Sequence, residues 1–155
     1  MYLTERNFNT DPQGRNITNC VYAKTLSTNE TTHTFTQNIT YFNISSEKWI
    51  TFPKKFNATT LHQDGEINYF TSPNGDNTTL AYTVLLVEED CLVAKLDHRS
   101  NDTFIACEIW VTDRYFESCP SAVCCNEVYK SSCNATVQIL YDKNNCSIPE
   151  GSQNR

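Results

Sequence analysis

The chain has 155 residues and a formal net charge of −6, with 12 basic against 18 acidic side chains. That length sets an expectation of one domain spanning 1–155 with a real core. The acidic balance, with no basic stripe, argues against nucleic acid and against anionic membrane surfaces as partners. The longest apolar run, LAYTVLLV at 80–87, has the length of one strand and falls far short of a membrane span.

Taken in chain order, the elements are strands. MYLTERNF has no apolar stretch of the kind that a signal peptide carries, so the chain reads as cytosolic or as a mature, processed form, and YLTERNF reads as a first strand. NCVYAKTL follows. THTFTQNITYF alternates strictly, with Phe35, Ile39 and Tyr41 on one face and Thr34, Thr36, Asn38 and Thr40 on the other. KWITFPKKF reads as a strand broken at Pro53, at an edge or a bulge. EINYFT is next, ended by SPNGDN, the strongest turn signal in the chain. LAYTVLLV and CLVAKLDH form a hairpin across the acidic EED, and TFIACEIWVTD follows. PSAVCCNEVYKSS breaks the pattern. Ser118 as N-cap, Pro120 in a first turn, and a stripe of Val123, Val128 and Tyr129 with Lys130 near the end predict a late helix. ATVQILY is a closing strand. The sum predicts an all-β protein: an eight-stranded antiparallel up-and-down barrel with a C-terminal helix packed outside, in preference to a β-sandwich.

Nine N-x-S/T triplets occur, at Asn16, Asn29, Asn38, Asn43, Asn57, Asn77, Asn101, Asn134 and Asn145. In a secreted chain these are glycan acceptors, Asn145 the weakest because Cys146 follows it. Eight cysteines point to the same compartment. Five lie between Cys107 and Cys133 at spacings of 12, 5, 1 and 8, with every histidine outside the cluster. Such spacing matches neither paired zinc ligands nor a C-x-x-C redox centre, so disulfides are expected. Composition leaves on the order of a hundred pairings open.

TFIACEIWVTD is the most informative strand. Phe104, Ala106, Glu108, Trp110 and Thr112 share one face, and Ile105, Cys107, Ile109 and Val111 the other. Two apolar faces imply two covers, the helix and the barrel interior. Glu108 is then a carboxylate among aromatics, which is costly unless it is paired or hydrogen-bonded. It reads either as an acid that recognises a ligand or as one meeting an Arg, a Tyr hydroxyl or water.

CLV at 91–93, EIW at 108–110, then CC, C and YDKNNC resemble the C-terminal half of the tick salivary lipocalins, which include the histamine-binding proteins. The related amine-binding motif is C-D-[V/I/L], a gap of seven to seventeen residues, E-L-[W/Y], and a later Cys. Here the gap is fourteen. The resemblance implies a lipocalin barrel, a secreted and glycosylated saliva protein, and the pairings Cys20–Cys146, Cys91–Cys125 and Cys107–Cys133, leaving Cys119–Cys124. Two features depart from the family: Leu92 stands where the amine motif has Asp, and the usual N-terminal helix has no counterpart ahead of YLTERNF.

Alternation places Phe35, Ile39, Tyr41, Trp49, Phe52, Phe70, Tyr82, Val84, Leu86, Phe104, Glu108 and Trp110 inside. Such a cavity suits a sterol, fatty acid or eicosanoid, with Glu108 and Tyr82 as polar handles; a core filled by its own side chains is the bland alternative. His33, His62 and His98 fall on three different elements, His98 after Asp97 on a strand, and no hydrolase, metalloprotease or phosphate-loop motif occurs. No enzyme, cofactor or metal is expected. With that interior, the resemblance implies a secreted lipocalin of a blood-feeding parasite, of the immunomodulatory Japanin-like type, expected to hold a hydrophobic small molecule, to act on host immune cells and to be monomeric. A scavenger of histamine or serotonin, with a second carboxylate from Asp97, Asp113 or Glu66, is the alternative. A protein-binding inhibitor working through its outer surface is the third reading.

Overall fold

Period-2 alternation in Thr-, Val- and aromatic-rich runs produces strands whose two faces differ. In a computed structural model of the chain, the described residues are 1–8, 18–59, 67–117, 121–134, 138–141 and 146, with backbone alone at 121–124 and 138–139. Their elements are β1 (Tyr2–Arg6), β2 (Thr18–Asn29), β3 (Thr34–Asn43), β4 (Lys48–Thr59), β5 (Tyr69–Pro73), β6 (Thr79–Val87), β7 (Cys91–Leu96), β8 (Cys107–Val111), helix α1 (Ser121–Ser132) and β9 (Gln138–Ile139). From β2 to β8 each strand lies antiparallel to the one before it. β8 pairs with β1, and β1 closes the circle on β2 through Tyr2 and Tyr22. The result is an eight-stranded antiparallel barrel. β9 continues beside β1 at Glu5 and Arg6, where β2 has turned away.

Several boundaries differ from the sequence expectation. β4 is not broken at Pro53: it runs through twelve residues with Pro53 opposite Asn38 in an uninterrupted ladder with β3. Among the described residues β4 does have an edge there, because β5 joins it only at Asn57, Ala58 and Thr59. CLVAKLDH ends as a strand at Leu96, and Asp97–Arg99 form a 3-10 turn that carries His98. β8 begins at Cys107, so Phe104 precedes it instead of lying on it. The SPNGDN turn is as expected, with Asn77 in the left-handed region (φ 66°) and Asn74 N–H donating to the Thr78 carbonyl.

β8 sits between two covers, as its two apolar faces require. Its outer face packs with Cys91 and Val93 against Cys125, Tyr129 and Cys133 of the helix region, and Val93, Cys107, Ile109, Val111 and Cys125 are fully buried. Each large apolar side chain so buried contributes roughly 1.5–3 kcal/mol. Disulfides Cys91–Cys125 and Cys107–Cys133 tie the helix to β7 and β8, and Cys20–Cys146 ties β2 to the C-terminal segment. These are the pairings that the family resemblance implies; Cys119–Cys124 lies outside the described residues. Asn7, buried, clamps the approach to β8. Its Nδ2 donates to the Ile105 and Asn134 carbonyls at 2.7 and 2.8 Å, and its Oδ1 accepts from Cys107 N–H at 2.9 Å.

Candidate functional site

The inner faces of the strands enclose a cavity of about 270 Å³. β3 and β4 pair in register Phe35 to Phe56, Gln37 to Lys54 and Ile39 to Phe52, so residues of one parity on each strand point inward together. Phe35, Ile39, Phe70, Tyr82, Val84, Glu108 and Trp110 all line the cavity.

The other five predicted interior residues do not. Trp49 has the opposite parity to Phe52 in the unbroken β4 and pairs with Phe42. Both rings pack outside, against the Cys20–Cys146 disulfide and Tyr141. Leu86 is displaced by a bulge in β6: the register slips between Val84 and Leu86, which puts Leu86 beside Val93 against the helix side of the barrel. Phe104 lies half-buried in the segment before β8. Tyr41 and Phe52 keep the inward parity and meet edge to face at 6.5 Å, but beyond the cavity. Tyr41 packs on Leu3, Val21 and Leu140, and Phe52 is 41% exposed.

Sequence reasoning missed Met1, Ala23, Gln37, Lys54, Phe56, Leu92 and Ala94 in the wall. Reading β4 as one strand would have found Lys54 and Phe56, since they share the parity of Phe52. Leu92 is the position where the amine motif has its acid, and its side chain faces the cavity opposite Trp110 in the β7–β8 ladder.

Polar groups gather on one side of this apolar space. Lys54 Nζ donates to Tyr82 Oη and lies 5.1 Å from the Phe56 ring centre and 4.8 Å from that of Tyr82. Burial pulls the Lys54 ammonium below the usual lysine pKa, and the negative charge of Glu108 opposes that fall. Burial likewise pushes the Tyr82 phenol up, helped by Glu108 and opposed by Arg99. Glu108 Oε2 accepts from Trp110 Nε1 at 2.9 Å. On β1, Arg6 is the register partner of Glu108 and only 5% exposed. Burial lowers its guanidinium pKa, Glu108 raises it and Arg99 lowers it. Phe8 lies between the two arginines, 5.3 Å from Arg6 and 4.9 Å from Arg99. The negative charge of Glu108 therefore bears on two cations, the buried Arg6 and, on the cavity wall, Lys54.

The remaining candidates fall elsewhere. Asp97 pairs with Lys95 at 3.5 Å and accepts from Thr83 Oγ1 at 2.7 Å, and Asp113 is an exposed residue beside Tyr2. Neither lines the cavity. Glu66 lies outside the described residues. His98 is not on a strand: its Nδ1 bonds the Ala81 backbone and its ring meets Tyr82 edge-on at 5.2 Å. His33 is exposed at the β2–β3 turn, and His62 lies outside the described residues. Among the acceptor asparagines, Asn29, Asn57, Asn77, Asn101 and Asn134 are exposed and Asn38 and Asn43 half-buried, while Asn16 and Asn145 lie outside.

A family model described as tick histamine binding protein matches residues 1–147. No curated protein matches the sequence. Nine chains of solved structure match. One is the siderocalin Ex-FABP, reported to function through dual ligand specificities, with a TM-score of 0.60 and 16% identity over 96% of this chain and 95% of the other. At that identity the likeness is one of fold, and the fold is that of the lipocalins.

Proposed function

This chain belongs to the tick histamine-binding protein family, lipocalins whose business is binding small molecules, and we propose that it holds a hydrophobic ligand, such as a sterol, fatty acid or eicosanoid, in its barrel. One observation carries the reading. Of the fourteen described residues lining the cavity, Glu108 alone is an acid, and Lys54 shares the wall with it. A cationic amine entering there must compete with Lys54 and Arg6 for one carboxylate. Leu92 contributes a methyl-rich wall at the position of the motif's acid. The amine alternative is therefore the weaker of the two, although the cavity volume would admit so small a ligand.

The wider role is that of a secreted, glycosylated, monomeric saliva protein that modulates host immune cells, in the manner of the Japanin-like members. Disulfides within the barrel and the nine acceptor triplets support secretion. The deciding experiment is native mass spectrometry of deglycosylated protein from a eukaryotic host, with organic extraction of what co-purifies. An adduct of lipid size that survives purification is the expected result. An empty barrel that takes up histamine or serotonin would refute it. An empty barrel that takes up neither amine nor lipid would move the function to the outer surface and a protein partner.

A further inference from the structure

The cavity wall contains a lysine whose donor capacity the protein does not use up. Lys54 Nζ has three N–H donors, and its hydrogen bond among the described residues goes to Tyr82 Oη. No described carboxylate stands within salt-bridge distance of it. Its remaining donors face the ring of Phe56 and the cavity. A buried cation left with aromatic faces for company is poorly solvated, and an anion that reached it would replace lost water with a charge-assisted bond. Gln37, the register partner of Lys54 on β3, is a polar neighbour in the wall, while Phe35, Phe56, Phe70 and Val84 offer apolar surface.

We propose that the cavity selects an amphiphile with an anionic head, carboxylate or phosphate, seated on Lys54 Nζ and Tyr82 Oη with its apolar tail against Phe35, Phe70 and Val84. This rests on the apolar-ligand reading above and narrows it. Lys54 is the specificity-determining residue, because it sets the sign of the charge admitted. Glu108 offsets part of that charge from beyond salt-bridge distance, but its carboxylate already accepts from Trp110 Nε1 and faces Arg6 across the β1–β8 ladder, so it fills none of the Lys54 donors.

The test is displacement of a neutral apolar fluorophore from the full chain by ligands of one chain length: octanoate, octyl phosphate, octan-1-ol and octylamine. Octanoate or octyl phosphate should bind at least tenfold tighter than octanol, and octylamine more weakly than octanol. The ranking of the two anions separates a fatty-acid head from a phosphorylated one. Lys54→Met should abolish the preference, so that both anions bind that variant no more tightly than octanol does, and Lys54→Arg should keep the preference. Equal binding of acid and alcohol, a preference for the amine, or an anion preference that survives Lys54→Met overturns the assignment to Lys54 while leaving the apolar pocket standing. If Lys54→Met fails to fold, the wild-type ranking and Lys54→Arg still decide. Failure of octanol and all its analogues to displace the dye would instead remove the apolar-ligand reading itself.

Discussion

Glu108→Gln isolates what the cavity's acid does for the protein itself. The amide put in place of the carboxylate keeps an oxygen to accept from Trp110 Nε1, so the change removes charge and little else. Two cations lose a nearby negative charge: Arg6, whose register partner is Glu108, and Lys54, whose pKa Glu108 supports against burial. Removing one partner of a fully buried pair costs about 3–5 kcal/mol. Glu108 is half-buried and separated from Lys54 by more than a salt bridge, so about 1–2 kcal/mol is expected.

The sign of the pH dependence follows from the direction of the Lys54 shift. A lysine whose folded pKa lies below its unfolded value binds fewer protons in the folded state, so stability rises with pH between those two values. In the variant the folded pKa drops further and the rise begins at lower pH. The deficit relative to wild type is therefore largest near neutrality and narrows as pH climbs toward the ordinary lysine range, leaving the Arg6 share. Urea unfolding followed by far-ultraviolet circular dichroism between pH 6 and 10 measures this; with a slope of about 1–3 kcal/mol per molar urea, the midpoint should fall by about 1 M at pH 7. An unchanged midpoint, or a deficit that widens with pH, would mean that Glu108 is not the counter-charge of these cations and stands free to meet a ligand.

Three further outcomes are expected. Replacing both Cys20 and Cys146 by Ala opens a loop of 126 residues and should destabilise by up to about 5 kcal/mol, more than the loop terms for Cys91–Cys125 or Cys107–Cys133, whose separations are 34 and 26; thermal melts of the three double variants check the order. Asn7→Ala strands Cys107 N–H and the Asn134 carbonyl, leaves the Ile105 carbonyl only its bond from Asn134 N–H, and should cost about 1–3 kcal/mol, with faster amide exchange at Cys107 as its local signature. Tyr129→Phe should leave stability unchanged or raise it by up to about 1 kcal/mol in chemical denaturation, because the Tyr129 hydroxyl is buried with no hydrogen-bond partner among the described residues.

Strand order and the covers of β8 were legible because alternation is local: Ile105, Cys107, Ile109 and Val111 on one face and Glu108 and Trp110 on the other need nothing beyond period two. The cavity wall was legible only where the strand stayed regular. The bulge between Val84 and Leu86 turns Leu86 outward with no mark in LAYTVLLV, since a slip of one residue among apolar neighbours leaves the pattern intact. Pro53 misled in the other direction: reading it as a break hid Lys54 and Phe56, which continue the inward parity of Phe52, while Trp49, three residues before Phe52, faces the other way on the same strand. Lys54 was passed over for its type, because a lysine in KKF reads as solvent-facing until the register of β4 against β3 is known. Its coupling to the charge of Glu108 is a long-range fact that no local pattern encodes.

The free half of β4 bears on how this barrel behaves among its own copies. A strand edge without a neighbour is a template on which another chain can pair and aggregation can start. Ser72 Oγ on β5 donates to the Lys55 carbonyl, which fixes the backbone of Lys55 as facing β5 and, by alternation, that of Pro53 as facing the same way. Pro53 thus withholds an amide donor on the side where β4 has no partner strand among the described residues, and Lys55 beside it adds a charge that an incoming strand would meet. The residue that obscured the strand in the sequence is the one that keeps its edge from being used.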